Sequence, residues 1–251
     1  MRLFGLIGYP LSHSFSQNYF EEKFRKENIK DCYYHLFPLN KSDHLPELIN
    51  RNPKLSGLNV TIPYKEEVIK YLDYIDPEAK IIGAVNTIKV ERKNNKIILS
   101  GYNTDYYGFY EFIKTKIKPP YPKALILGTG GAAKAVAFAL QKLRIDYLFV
   151  SRKPTLENQI SYKEIVSEIV QSHRLIINAT PVGMFPAVTS FPAFPFGYIF
   201  CHHLIIDLIY NPAETIFLKK AKEKGAQVFN GLEMLHLQAE RSWDIWNNPE
   251  S

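Results

Sequence analysis

The 251 residues, 46% of them hydrophobic and 22% charged, exclude a disordered or collagen-like chain and suffice for one large domain or two modest ones. A net charge of +6 raises nucleic acid as a partner, but the lysines are interleaved with glutamates, as in FEEKFRKENIK and FLKKAKEKG. Those are solvated helix faces without any reader motif, so nucleic acid is not expected, and a basic surface equally suits a small anionic ligand.

Along the chain, strand and helix signals alternate. RLFGLIG reads as a strand, followed by a loop and a helix over Phe15 to Glu27; CYYHLFPL is a second strand, and Ser42 is placed to cap the helix after it. In GLNVTIPYKEEV, Leu58, Val60 and Ile62 alternate with Asn59 and Thr61, the period of a half-buried strand, which Pro63 stops before a helix from Tyr64. AVNTIKV and KIILSGY are further strands, and the proline- and lysine-dense KIKPPYPK is a connector. A second series follows: ALILG, a helix, DYLFVS, a helix, LIINAT and HLIIDLIY. Pro212 then opens a helix that Gly225 closes, AQVFNG is the last strand, and Leu232 to Asn247 is an amphipathic helix with Leu235, Ala239, Trp243 and Trp246 on or near one side. The predicted fold class is α/β with two domains, the second a Rossmann-like unit with a largely parallel sheet.

Cys32 and Cys201 lie far apart and fit neither metal nor redox spacing, and His202-His203 has no third ligand nearby, so no metal is expected. Unpaired cysteines suit a reduced cytoplasmic setting. The amino-terminal apolar run meets Pro10 too early for a signal peptide, and the aromatic stretch from Phe191 to Tyr210 is broken by prolines, histidines and Asp207. The chain therefore reads as soluble, with no membrane partner.

The clearest local motif follows ALIL. Gly128, Thr129, Gly130, Gly131, Ala132 and Ala133 read G-x-G-x-x-A between a strand and a helix. Gly128 permits the tight turn, Gly130 the approach of a pyrophosphate, and Ala133 close helix–strand packing, while the helix start offers amide donors. The alternative is a small-residue turn with no ligand. At the end of the next strand an NAD site would usually carry a carboxylate for the ribose, but here stand Ser151, Arg152 and Lys153. A guanidinium grips a 2′-phosphate that a carboxylate would repel, so the expected cofactor is NADP.

PLSHSFSQ, NVTIPYK, GAVNTI, GYNTD, NAT, DLIYNP and GLEMLHLQA, in this order from Gly8 to Gln238, resemble the shikimate dehydrogenase family. The resemblance implies NADP-linked interconversion of 3-dehydroshikimate and shikimate in aromatic amino-acid biosynthesis. It implies a substrate domain of residues 1–103 plus 232–251, and an NADP-binding domain of residues 104–231.

Matched to the family, Ser14 and Ser16 bind the substrate carboxylate; Ser14 with Gln17 also reads as an S-x-x-Q capping box, and the two roles are compatible. Asn59, Thr61 and Asn86 match further substrate ligands, and Tyr210 and Gln238 match residues that reach the substrate from the cofactor side. Read alone, Asn86 is a buried strand-end amide and Gln238 one polar position on an amphipathic helix. Lys65 and Asp105 match the catalytic pair, although Lys65 with Glu66 and Glu67 also reads as solvated helix decoration. A ketone reduced by hydride needs a proton, which an ammonium can donate while stabilising the developing charge. Thr180, Leu208, Gly231 and Met234 match contacts near the nicotinamide. Two positions depart from the family pattern: Tyr106 stands where glycine is usual, and Ser151 where asparagine is common. Relatives that use quinate and NAD, or that keep the fold without catalysis, are the competing readings; Lys65, Asp105, both serines and Arg152 argue against them. The expected form is a monomer or homodimer.

Overall fold

The computed structural model of the chain describes residues 1–11 and 15–248. It divides into two compact units, Met1–Thr104 with Ala239–Ser251 and Asp105–Gln238.

The first unit contains β1 (Arg2–Gly8), α1 (Phe15–Lys26), β2 (Cys32–Pro38), α2 (Leu45–Arg51), β3 (Leu55–Val60), β4 (Tyr74–Ile75), α3 (Pro77–Ile82), β5 (Thr87–Lys93) and β6 (Lys96–Tyr102). Its sheet runs β2-β1-β3-β5-β6-β4. β1 pairs in parallel with β2 and β3, whereas β3, β5 and β6 are successively antiparallel. The β5–β6 hairpin turns on Asn94 and Asn95, both at positive φ (52 and 60), which matches the twist that a two-residue loop requires.

Both faces of this sheet are covered. Ile7, Leu58, Val60 and Ile88 pack with Leu45, Ile49, Val68 and Ala79 on one side. On the other, Phe4, Phe20, Phe24 and Tyr34 meet Ala239, Ile245 and Trp246 from α8 (Leu232–Asn247), and Trp246 Nε1 donates to the Ile88 carbonyl at 3.0 Å. The half-buried strand expected at Gly57–Ile62 is corrected accordingly: Asn59 on its polar face is 5% exposed, and the strand ends at Val60.

Two further expectations give way here. No α-helix starts at Tyr64; turns lead to a short 3-10 helix, Glu67–Tyr71, because the Val85 amide takes the Lys65 carbonyl at 2.7 Å. Ser42 does not cap α2; it opens its own 3-10 turn, and its hydroxyl donates to Glu67 Oε2 at 2.7 Å.

The second unit contains α4 (Thr104–Lys114) from Asp105 onward, β7 (Ala124–Leu127), α5 (Gly131–Lys142), β8 (Tyr147–Ser151), β9 (Gln159–Ser161), α6 (Ser167–Ser172), β10 (Leu175–Asn178), β11 (Leu204–Asp207), α7 (Ile216–Lys222), β12 (Gln227–Asn230) and the start of α8. Its sheet is parallel throughout, in the order β12-β11-β10-β7-β8-β9. Counted within the unit this is 6-5-4-1-2-3, a doubly wound sheet whose order reverses between β7 and β10. Ala124 and Ile126 face one core and Leu125 and Leu127 the other, which is why ALIL is apolar throughout.

β9 precedes the helix expected after DYLFVS and completes the sheet edge. Pro212 does not open α7: Thr215 caps it, accepting from the Leu218 amide at 3.3 Å, so the helix begins at Ile216. No described helix is long and apolar enough to cross a membrane.

Candidate active site

In the first unit the candidate ligands gather at one end of the sheet. β1 and β3 are parallel, so the segments after them share an edge; β5 is antiparallel to β3, so its beginning lies at that same edge. Ser16 is in the first turn of α1, half-buried. Burial pushes the Tyr34 hydroxyl well above its ordinary pKa, and the polar Ser16 side chain opposes that push. Thr61 is half-buried just past β3, with its amide on the Ile7 carbonyl at 2.9 Å and its carbonyl accepting from the Tyr64 amide at 3.0 Å. Lys65 follows in the turn, half-buried, its backbone tied to Val85 as above. Ser14 lies outside the described residues.

Asn59 and Asn86 are the buried members, 5% and 3% exposed. Asn86 Oδ1 accepts from the Thr104 amide at 2.6 Å, and Nδ2 donates to Thr104 Oγ1 at 3.0 Å. Its backbone carbonyl accepts from the Val60 amide at 2.8 Å. The plain reading of Asn86 as a strand-end amide is therefore sound; it joins the starts of β5 and α4. Tyr34, Thr87, Thr104 and Ser242 complete this polar cluster, and none was singled out from the sequence. Ser242 had a usable signal, a small polar residue on the apolar stripe of α8, between Ala239 and Trp246.

In the second unit the carboxyl ends of the parallel strands carry the cofactor candidates. Gly128 follows β7 at φ 105, a conformation side chains rarely adopt, and a Cβ there would sit 3.0 Å from Thr180 Cγ2. Gly130 is the extended N-cap of α5, and a Cβ there would meet nothing within 4 Å. That side of the loop is open above a helix start with no acidic residue in its first turn. Thr129 is exposed, Gly131 and Ala132 are half-buried, and Ala133 is buried against the sheet. A dinucleotide pyrophosphate thus fits the Gly128–Ala132 loop, by backbone approach and by the dipole of α5.

Ser151 ends β8, its Oγ accepting the Lys153 amide at 3.2 Å, with Arg152 and Lys153 exposed beside it. The Arg152 charge reaches Tyr162, where it opposes the upward push of burial on the phenol. Thr180 follows β10, and its amide and hydroxyl donate to Asn178 Oδ1 at 3.0 and 2.7 Å. Leu208 and Tyr210, both half-buried, follow β11, and Gly231 follows β12. A Cβ on Gly231 would lie 2.0 Å from the Leu208 carbonyl oxygen, so the close approach of these two segments requires glycine.

Asp105, in the first turn of α4, is 7% exposed. One turn later Gly108 packs on the Met234 carbonyl and on Gln238 of α8, and Gln238 and Met234 are also 7% exposed. Tyr106, the departure from the family pattern, packs edge-on against Phe138 of α5 with ring centroids 5.1 Å apart.

Residues 6–88 match the family model described as the shikimate dehydrogenase substrate binding domain. A Clostridium beijerinckii protein named shikimate dehydrogenase (NADP(+)) is 43% identical over 257 residues, covering 98% of this chain and 92% of its own. The crystal structure of shikimate dehydrogenase 1 from Peptoclostridium difficile is 41% identical with a TM-score of 0.86, covering 98% of this chain and 91% of that one. Shikimate 5-dehydrogenase from Thermus thermophilus, solved with NADP(H) and shikimate, is 31% identical with a TM-score of 0.84, covering 98% of this chain and 94% of that one.

Proposed function

The chain belongs to the shikimate dehydrogenase family, and on that premise we propose that it catalyses the NADPH-dependent reduction of 3-dehydroshikimate to shikimate in the shikimate pathway of aromatic amino-acid biosynthesis. It is an oxidoreductase acting on a CH–OH group. The observation that carries the reading is the similarity along almost the whole chain to proteins bearing that name, in a sequence that keeps both Lys65 and Asp105.

Ser14 and Ser16 hold the substrate carboxylate, and Asn59, Thr61 and Asn86 take its hydroxyls and remaining polar edge. Tyr210 and Gln238 are further substrate ligands. NADPH is held by Gly128 to Ala133, by Ser151, Arg152 and Lys153, and by Thr180, Leu208, Gly231 and Met234; when bound, it supplies the hydride. Lys65 stabilises the negative charge that develops on the carbonyl oxygen and gives that oxygen a proton. Asp105 accepts a hydrogen bond from the substrate hydroxyl. In the oxidative direction neutral Lys65 takes the hydroxyl proton. On this reading the protein works in the cytoplasm, as a monomer or homodimer, with small molecules as ligands.

Loss of NADPH absorbance on adding 3-dehydroshikimate is the test. Folded protein that never turns this substrate over removes the proposal.

A further inference from the structure

The Asn59 amide is held at both ends. Its Oδ1 accepts from the Tyr34 hydroxyl at 2.8 Å, while Nδ2 donates to Ser242 Oγ at 3.0 Å, with Thr87 Oγ1 at 3.3 Å and the Asn86 carbonyl at 3.4 Å. Hydroxyls can donate or accept, but the Asn86 carbonyl only accepts, so the amide nitrogen must face it and the oxygen must face Tyr34. Both amide hydrogens then have acceptors among the described residues, and one lone pair of Oδ1 remains.

Tyr34 and Ser242 reach Asn59 from different elements. Tyr34 is on β2 and 1% exposed. Its ring is fixed by stacking on Phe20, with centroids 4.7 Å apart and planes 14° apart. Ser242, on α8, is fully buried and passes the network on, to Thr87 Oγ1 at 2.8 Å and Thr104 Oγ1 at 3.2 Å. Both of those hydroxyls reach Asn86 Oδ1, at 3.3 and 3.2 Å. One connected chain therefore runs Tyr34–Asn59–Ser242–Thr87–Asn86, with two proposed substrate ligands tied together by three residues that are not ligands.

We propose that Tyr34 and Ser242 are positioning residues for substrate recognition: they lock the Asn59 amide so that its oxygen alone is offered, and the ligand group that meets it must be a hydrogen-bond donor such as a hydroxyl. This rests on the reading of Asn59 as a substrate ligand. A rigid acceptor discriminates because a carbonyl or ether oxygen placed there leaves two acceptors face to face in a desolvated site.

The test uses the full chain with Tyr34→Phe and Ser242→Ala, each alone and each combined with Asn59→Ala. Steady-state constants for shikimate and NADP are measured, together with the 15N spectrum of the side-chain amides. Each single substitution is expected to raise KM for shikimate about tenfold, the effect of about one hydrogen bond, with KM for NADP changed less than about twofold. Neither should add to the effect of Asn59→Ala, because both act through that amide. The Asn59 amide signal, identified by its loss in Asn59→Ala, should shift or broaden in both variants. Unchanged KM for shikimate in folded variants, effects that add in full to Asn59→Ala, or an undisturbed amide signal would overturn the proposal. A wild-type protein that does not bind shikimate contradicts the proposed function instead, and the amide spectrum still decides whether the lock exists.

Discussion

Asn178 and Asp207 are register partners at the ends of β10 and β11, both fully buried, and Asn178 Nδ2 donates to Asp207 Oδ1 at 3.0 Å. Asp207 also accepts from the Ile209 amide at 3.1 Å and the Thr215 hydroxyl at 2.6 Å, while Asn178 holds Thr180. The cap of α7 and the residue after β10 thus hang on one carboxyl group.

Burial raises that carboxyl from an ordinary 3.8 to about 6, against the pull of its three donors. A raised folded pKa means that the native state holds the proton more tightly than the unfolded chain, so this contribution to stability is present at acid pH and lost as pH rises from about 4 to about 6. The shift corresponds to about 3 kcal/mol. Relative to Asp207→Asn, the wild type is therefore expected to lose up to that amount between pH 4 and pH 7, read from urea unfolding at each pH. A difference that stays constant with pH contradicts it.

His203 runs the opposite way. Its Nδ1 accepts the Phe200 amide at 3.0 Å and its Nε2 faces the Val170 carbonyl at 3.2 Å, which describes a neutral ring with its hydrogen on Nε2. Burial lowers its pKa, as it does for His173. The unfolded chain then binds the proton more readily, so the contribution is present above about pH 6.5 and lost as pH falls. His203→Gln is expected to show a shallower loss of urea midpoint below that pH than the wild type; parallel curves would count against it.

Replacing Lys65 by alanine is expected to cut kcat about 100- to 10,000-fold, the range for a positioned acid–base group, while shikimate still binds by calorimetry. Retention of the wild-type rate would take Lys65 out of the chemistry.

Arg152→Glu is expected to lower the ratio of kcat/KM with NADPH to that with NADH by about 10- to 100-fold, since a charge-assisted contact worth about 1.5–3 kcal/mol becomes repulsion. An unchanged ratio would move the phosphate grip to other residues.

What was legible in the chain was local. The glycine loop needs a positive φ, an open backbone and a small residue against the sheet, and Gly128, Gly130 and Ala133 meet those needs within six residues. The apolar run at β7 reflects a strand covered on both sides. Asn59 was different. Period two separates the faces of β3 but does not say what covers them, and its partner Ser242 lies 183 residues along the chain. Helix starts failed for a related reason: the carbonyl of Lys65 and the hydroxyl of Ser42 are claimed by distant segments, Val85 and Glu67, which no window around either residue contains. Asp207 had left a trace, a carboxylate ending the apolar LIID, but the three donors that make it tolerable come from β10 and from the residues after it.

The most direct measurement is kcat/KM for shikimate and for quinate, each with NADP and with NAD. Shikimate with NADP is expected to exceed the other three combinations. Higher turnover of quinate, a preference for NAD, or no turnover of any pair by folded protein would contradict the account.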